Sequence, residues 1–405
     1  MTRSRQASFL ASLLGILLSV LLPLAAAAGV VQYVIHISVD GLRADLLQNL
    51  IATDPSHYGN FKRFVDEGAT TFNARTDYTH TITLPNHTCM ITGRPVLQPS
   101  GQPNTVHHGY TSNADPGPTE TLHNTGNLNI PYKASVFDVA HDNGLSTAHY
   151  ASKTKFVLYD RSYDGTNGAP DTTGADNGRD KIDAYVQMST GSPATAANLN
   201  AAFVTAMGSS HFRYSFVHYV DPDSAGHATG WGSSTWNSAV QNVNGYLGAI
   251  FNLVENDPML DGHTVILLST DHGGTGTDHA SATNVLNYRI PFLVWGAGVA
   301  QGADLYTLNV MTRQDPGTGR PDYNAILPPI RNGDGGNLAL GLLGLPAVPG
   351  STIDAGQDLR LALSDSVPML SPWAAAGMAT AMAAGGLLVI VRRRAGARTV
   401  GPSSR

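Results

Sequence analysis

Three apolar, β-branched runs in this chain each end at an aspartate: VVQYVIHISVD at Asp40, RYSFVHYVDPD at Asp223, and HTVILLSTDHGG at Asp271 and His272. Runs with so little polar alternation read as strands buried on both faces, as in a parallel sheet with helices on each side. In open α/β sheets ligands bind beyond the carboxyl ends of the strands, so these acids, remote in sequence, should meet at one edge. The chain is therefore expected to be α/β, with a predominantly parallel central sheet and helices on both faces.

Around these acids lie further metal-ligand types. Asp223 and His227 stand four apart in DSAGH, so both can face one way across a helical turn. Asp221 also follows the strand, but its spacing to His227 is less suitable, and it suits a turn or a supporting hydrogen bond. Asp271 and His272 offer an oxygen and a nitrogen side by side, followed by two glycines that let backbone crowd a ligand. His279 is the last histidine of the chain. Together with Asp40 and Thr83 these residues suit two divalent cations, with zinc the best match to mixed carboxylate and imidazole donors and manganese an alternative.

A nucleophile is read from HTITLPNHTCMITG. Pro85 suits the first turn of a helix, where its missing N–H costs nothing, so Thr83 stands at a helix N-terminus among free N–H donors. A divalent cation lowers the pKa of such a hydroxyl without a general base. Threonine is also a common N-cap, the plain alternative. Asn86, in the same first turn, is a candidate to bind an oxygen of a ligand there. Lys153 and Lys155 in ASKTKF are either substrate-side cations or solvated surface charges.

The chain has 405 residues and a net charge of −6, which suits one large α/β domain and gives no basic track for a nucleic-acid duplex. Its one cysteine, Cys89, excludes an internal disulfide and reads as core. Helices are expected at 43–50, 60–67, 135–143, 195–207, 233–255 and 337–343, with strands at 69–75, 145–151 and 291–295. The stretches 101–125, 163–180 and 298–335 are rich in Gly, Asn, Asp, Thr and Pro, and read as long loops able to cover a site.

Both ends lie outside this pattern. Residues 1–28 carry Arg3 and Arg5, an apolar run and small residues, which is the secretory pattern, so the catalytic domain is expected at 29–365. At 366–405, Val367-Pro368-Met369-Leu370 precedes eighteen uncharged residues, 374–391, and then Arg392-Arg393-Arg394. That tail fits one membrane helix with its basic end in the cytoplasm. It resembles bacterial IPTL-type sorting signals, departing from Ile-Pro-Thr-Leu at the first and third positions; a plain tail anchor is the alternative. Either way the protein is expected to be exported, to the periplasm, the cell surface or a membrane anchor, with membrane or sorting machinery as its partner.

The motifs VDGLR, TLPNH…TG, HG…N, DSAGH and DHGG…H stand in an order that resembles the alkaline phosphatase superfamily, in its nucleotide pyrophosphatase and type I phosphodiesterase branch. The resemblance runs from about Val39 to Trp295 and implies an alkaline-phosphatase-like fold. It implies one metal held by Asp40, Thr83, Asp271 and His272 and another by Asp223, His227 and His279. It implies attack by Thr83 through a phospho-threonine intermediate, and it matches Asn113 to the asparagine that binds a phosphoryl oxygen. In many nucleotide pyrophosphatases the last ligand comes from a later HG motif, which this chain lacks; His279 instead matches the DHG…H spacing of other branches. The implied activity is hydrolysis of phosphate diesters or nucleotide pyrophosphates, with a small phosphate ester or nucleotide as substrate. A phosphomonoesterase on the same site and a non-catalytic cell-surface binding protein are the alternatives. A sulfatase is not, because neither Cys nor Ser stands at the nucleophile position.

Overall fold

The computed structural model describes residues 31–171, 173, 178–188 and 193–362. The expected signal segment at 1–28, the tail at 366–405 and part of the loop at 163–180 fall outside them. Among the described residues no helix is long and apolar enough to cross a membrane.

Eight strands form one sheet: β1 (Tyr33–Val39), β2 (Ala69–Arg75), β3 (Thr147–Ala151), β4 (Ala184–Gln187), β5 (Tyr214–Tyr219), β6 (Thr264–Ser269), β7 (Arg289–Gly296) and β8 (Ala303–Asp304). Their order is β4-β3-β5-β1-β6-β7-β2-β8. The first five in that order are mutually parallel, and only β7 runs against its neighbours β6 and β2. The expected predominantly parallel sheet is thus present, with β7 as its one antiparallel strand. The decisive feature is the adjacency of β5, β1 and β6: Val39 pairs with Tyr219, and Ser38 with Ser269, so all three acid-bearing strands end at the same level.

Helices cover both faces because the strands alternate between two cores. Ile35, Ile37 and Val39 of β1 join Val217, Tyr219, Ile266 and Leu268 on one face, packed by helices α1 (Ala44–Thr53), α2 (Gly59–Glu67), α5 (Pro193–Ser210) and α7 (Ser234–Asn256). Val34, Tyr214, Phe216, Val265 and Leu267 face the other side, against α3 (Thr83–Thr92), α4 (Val136–Asp142) and α8 (Asp334–Leu342). Between α5 and α7 lies α6 (Asp221–Thr229), which β5 enters directly. Where sequence placed PFLVW as a five-residue strand, β7 spans eight residues, since partners on both sides extend its ladder. The 298–335 stretch, read as able to cover a site, contains β8 and is tied to the segment between β2 and α3, through Tyr323 to Asp77 and Arg331 to the Thr76 carbonyl.

The second core carries an unusual load of buried imidazoles. His149 on β3 is fully buried among Phe137, Phe156, Tyr159, Tyr185 and Phe216, and neither ring nitrogen has a hydrogen-bond partner. Burial pushes it down to about 3. A histidine so depressed contributes stability that is complete above its unfolded pKa of about 6.5 and is lost as pH falls below it, about 2 kcal/mol by pH ~5. His149→Phe should therefore be more stable than the parent, and the gap measured by urea unfolding should widen by that amount between about pH 8 and pH 5.

Candidate active site

The three strand ends are tied together by the turn after β1. Gly41 takes φ +69°, and a Cβ there would lie 2.9 Å from the Asp223 Cα, so only glycine lets the Asp40 and Asp223 backbones approach. Its N–H donates to Asp271 Oδ1 at 3.2 Å, its carbonyl accepts from Trp231 Nε1 at 2.8 Å, and the next N–H, of Leu42, donates to Thr270 Oγ1 at 3.2 Å. One turn thus fixes the ends of β1, β5 and β6.

Each carboxylate then commits one oxygen to the protein and leaves the other bare. Asp40 Oδ2 accepts from Lys153 Nζ (2.6 Å) and His218 Nε2 (3.1 Å), Asp223 Oδ2 accepts from Lys153 (2.7 Å), and Asp271 Oδ1 accepts from the Gly41 and His272 N–H groups. The opposite oxygens, Asp40 Oδ1, Asp223 Oδ1 and Asp271 Oδ2, are buried without a hydrogen-bond partner, as is His272 Nε2. His272 Nε2 lies 3.4, 3.9 and 3.2 Å from those same three oxygens. Four buried acceptors facing one another are unfavourable unless a cation joins them.

The histidine tautomers point the same way. His272, His227 and His279 each present Nδ1 to a backbone carbonyl, of Gly273 (2.8 Å), Thr277 (2.9 Å) and Thr81 (2.6 Å). A carbonyl only accepts, so Nδ1 carries the proton and Nε2 the lone pair. His227 Nε2 and His279 Nε2 then meet at 3.1 Å, with Asp223 Oδ1 at 3.4 and 3.7 Å, an arrangement that needs a proton or a metal between them. The Asp223 contact accordingly holds His227 above the ordinary imidazole range, while burial holds His272 down at about 3 and lowers His279. The donors form two clusters able to hold an ion: Asp40, Asp271 and His272, all buried, and Asp223, His227 and His279, open to solvent at His227. The His272 and His279 rings stack at 3.5 Å, so the clusters adjoin. Of the two acids after β5, Asp223 joins this set, while Asp221 accepts from the Tyr246 hydroxyl at 3.0 Å.

Charge reinforces the geometry. Burial alone would raise all three carboxyls, but Lys153 and His218 hold Asp40 well below its usual range, and Lys153 and His227 do the same for Asp223 against burial and the Asp40 charge. Asp271 is pushed well up, by burial and then by Asp40. Lys153 itself is raised by Asp40 and Asp223 in spite of its burial. One ammonium therefore faces three carboxylates.

Thr83 is buried at the first position of α3, and its carbonyl accepts from His87 Nδ1 at 2.8 Å. That same Nδ1 is 3.6 Å from Asp271 Oδ2, which sets the start of the helix against the first cluster. The Asn113 side-chain oxygen accepts from the Leu84 N–H (3.1 Å) and from Lys155 Nζ (3.2 Å), so its NH2 end is the one left to donate. Asn86 corrects the sequence expectation. Its side chain is wholly buried, accepting from the Asp77 N–H and donating to the His80 and Ile82 carbonyls, and its own N–H donates to Ile82. It shapes the approach to Thr83 and has no donor left for a phosphoryl oxygen.

Sequence reasoning missed the polar layer beneath the site. Ser38 Oγ donates to His87 Nε2 (2.8 Å), and His218 reaches Asp40 from β5. The available signal was polar residues at every second position of apolar strands, His36 and Ser38 in β1 and His218 in β5.

With this geometry in view, comparison with known proteins identifies the class. The fold is matched by murine ectonucleotide pyrophosphatase/phosphodiesterase 5, solved inactive in complex with AMP, at 14% identity over 81% of this chain and 99% of that one, TM-score 0.51. The human ectonucleotide pyrophosphatase/phosphodiesterase 5 gives 12% identity over 81% and 99%, TM-score 0.52. At such identities the likeness concerns the fold, which is alkaline-phosphatase-like. No curated protein sequence matches the chain. Residues 34–289 match the family model for type I phosphodiesterase/nucleotide pyrophosphatase, and the chain belongs to that family as a phosphodiesterase-type hydrolase.

The Gly41 turn yields a direct test. Gly41→Ala places a side chain in left-handed backbone against Asp223, and should cost about 1–3 kcal/mol in urea unfolding. Because the displaced group is a site carboxylate, turnover should fall by about tenfold or more even in the folded fraction.

Proposed function

We propose that this chain is an exported, two-metal hydrolase of phosphate diesters or nucleotide pyrophosphates that works through a phospho-threonine at Thr83. The observation that carries the reading is the set of four buried acceptors without partners, Asp40 Oδ1, Asp223 Oδ1, Asp271 Oδ2 and His272 Nε2. Asp40, Thr83, Asp271 and His272 would hold one ion and Asp223, His227 and His279 the other, with zinc favoured by the donor types. When bound, such ions lower the pKa of a hydroxyl and neutralise charge on attacking and leaving oxygens.

The chain's own residues account for the rest. The α3 N-terminus presents Thr83 with the positive end of its helix dipole, which favours both an alkoxide and a phosphate. Asn113, anchored through its oxygen, donates its NH2 group to a phosphoryl oxygen and strengthens that bond as charge shifts in the transition state. Lys153 is neutralised by Asp40 and Asp223 and serves to keep the clusters together. Lys155 contacts two oxygens of Asn113, at 2.6 and 3.2 Å, and is the cation left for a substrate anion. A diester or pyrophosphate fits this balance, and AMP in the murine relative makes a nucleotide a reasonable substrate class.

Three outcomes test the reading. Elemental analysis of the folded protein should give about two divalent ions per chain, falling to about one in His279→Ala. Thr83→Ala should retain the ions and lose turnover by about a thousandfold or more, whereas Thr83→Ser keeps a measurable fraction. The kcat/KM for a bis-nitrophenyl phosphate should exceed that for the nitrophenyl monoester, and a monoester advantage abolished by Lys155→Met would instead support the phosphomonoesterase.

Export rests on sequence alone: residues 1–28 as a signal and 366–405 as a sorting or anchoring tail place the domain at 29–365 in the periplasm or at the cell surface. Cell fractionation with intact-mass measurement checks it. A cytoplasmic species carrying both ends would refute it.

A further inference from the structure

Beyond residue 289, where the family match ends, the chain returns beneath the site. Residues 330–332 run beside the end of β2: the Arg75 N–H donates to the Ile330 carbonyl at 2.9 Å, and the Asn332 N–H donates to the Arg75 carbonyl at 3.0 Å. Immediately afterwards α8 begins, and it is docked tightly on α3. A Cβ on Gly336 would stand 2.3 Å from the Met90 carbonyl oxygen, so no larger residue fits that crossing. Asp334, at the start of α8, accepts from the Arg331 N–H at 2.8 Å and from Arg313 Nη2 at 2.9 Å. The backbone of Asn332 is thereby held from both sides.

Its side chain is 1% exposed and spans two parts of the site. The Nδ2 group donates to Asn86 Oδ1 at 3.1 Å and to the Thr270 carbonyl at 3.3 Å. Asn86 is the residue whose own NH2 group grips the His80 and Ile82 carbonyls, directly before Thr83. Thr270 precedes Asp271, and its hydroxyl lies 3.2 Å from Asp271 Oδ1 and 3.0 Å from the His272 carbonyl. Both hydrogens of one amide are thus spent on joining the segment that presents Thr83 to the segment that presents Asp271 and His272.

We propose that Asn332 is a positioning residue, a strut that sets the distance between the Thr83 helix start and the Asp271–His272 turn, and so the alignment of the nucleophile with its ligands. It touches neither substrate nor ligand atom. Its effect comes through registry, where a displacement of about 1 Å can cost on the order of a hundredfold in rate. The inference rests on Thr83 as the nucleophile.

The experiment compares wild type, Asn332→Ala and Asn332→Asp in the full chain, the aspartate keeping the shape while removing both donors. Competent sites are counted by calorimetric titration with inorganic phosphate, metal content is measured on the same samples, and kcat and KM are taken per competent site with a bis-nitrophenyl phosphate. The expected result is a fall in kcat of about 10- to 100-fold in both variants, KM within about twofold, and unchanged metal content. A purely structural residue would reduce the number of competent sites and leave kcat per site intact, and that result overturns the strut, as does misfolding of both variants or loss of metal in parallel with activity. Thr83→Ala is measured alongside. If it turns over normally, the nucleophile reading has failed; if it is dead while both Asn332 variants match wild type per site, the strut alone has failed.

Discussion

Three carboxylates buried together at the ends of adjacent strands set the terms for everything around them. A pair of like charges about 4 Å apart repels by about 4 kcal/mol at the effective dielectric of a protein, and burial adds the loss of hydration. Asp40, Asp223 and Asp271 gather within 3.2–3.9 Å of one imidazole nitrogen, with a single ammonium, Lys153, bridging Asp40 and Asp223. The fold relieves part of the strain by giving one oxygen of each acid to N–H donors or Lys153. The remaining oxygens point inward at His272, and that residual attraction for cations is the site's chemical character.

The surroundings serve that arrangement. Backbone carbonyls fix three imidazoles with their lone pairs inward, so no proton needs to be moved at Nδ1 for these rings to act as ligands. Beneath them Ser38, His87 and His218 form a polar layer on a sheet face whose core is mainly aromatic and aliphatic. Burial keeps His87 and His218 below the ordinary imidazole range, so they add no positive charge beneath the carboxylates at neutral pH. The first cluster is buried throughout, and the second meets solvent at His227.

The region after β7 is tied both to the segment that leads into α3 and to α3 itself. Tyr323 fixes Asp77, Arg331 fixes the Thr76 carbonyl, and α8 packs against α3 with glycine at the crossing. Part of a stretch rich in Gly, Asn and Pro, read as able to cover a site, is thus bound to the chain leading into α3. Composition marks such a segment as irregular without saying which side of a site it occupies.

Sequence by itself determined the central strands and their terminal acids, though not the edge strands β4 and β8, because a run buried on both faces must be apolar and the break in that pattern marks where the chain meets solvent or ligand. It also determined the longer helices, through periodicity and glycine stops, and the pairing of Asp223 with His227, since four residues span one helical turn. What only the tertiary structure decided was which strands are neighbours, hence that Asp40, Asp223 and Asp271 converge. It decided too that Asn86 turns inward, that Lys153 bridges two acids, and that Asn332 reaches across to Thr270. Those outcomes depend on contacts between residues up to 246 positions apart, as between Asn86 and Asn332, and nothing in local pattern encodes a partner at that separation.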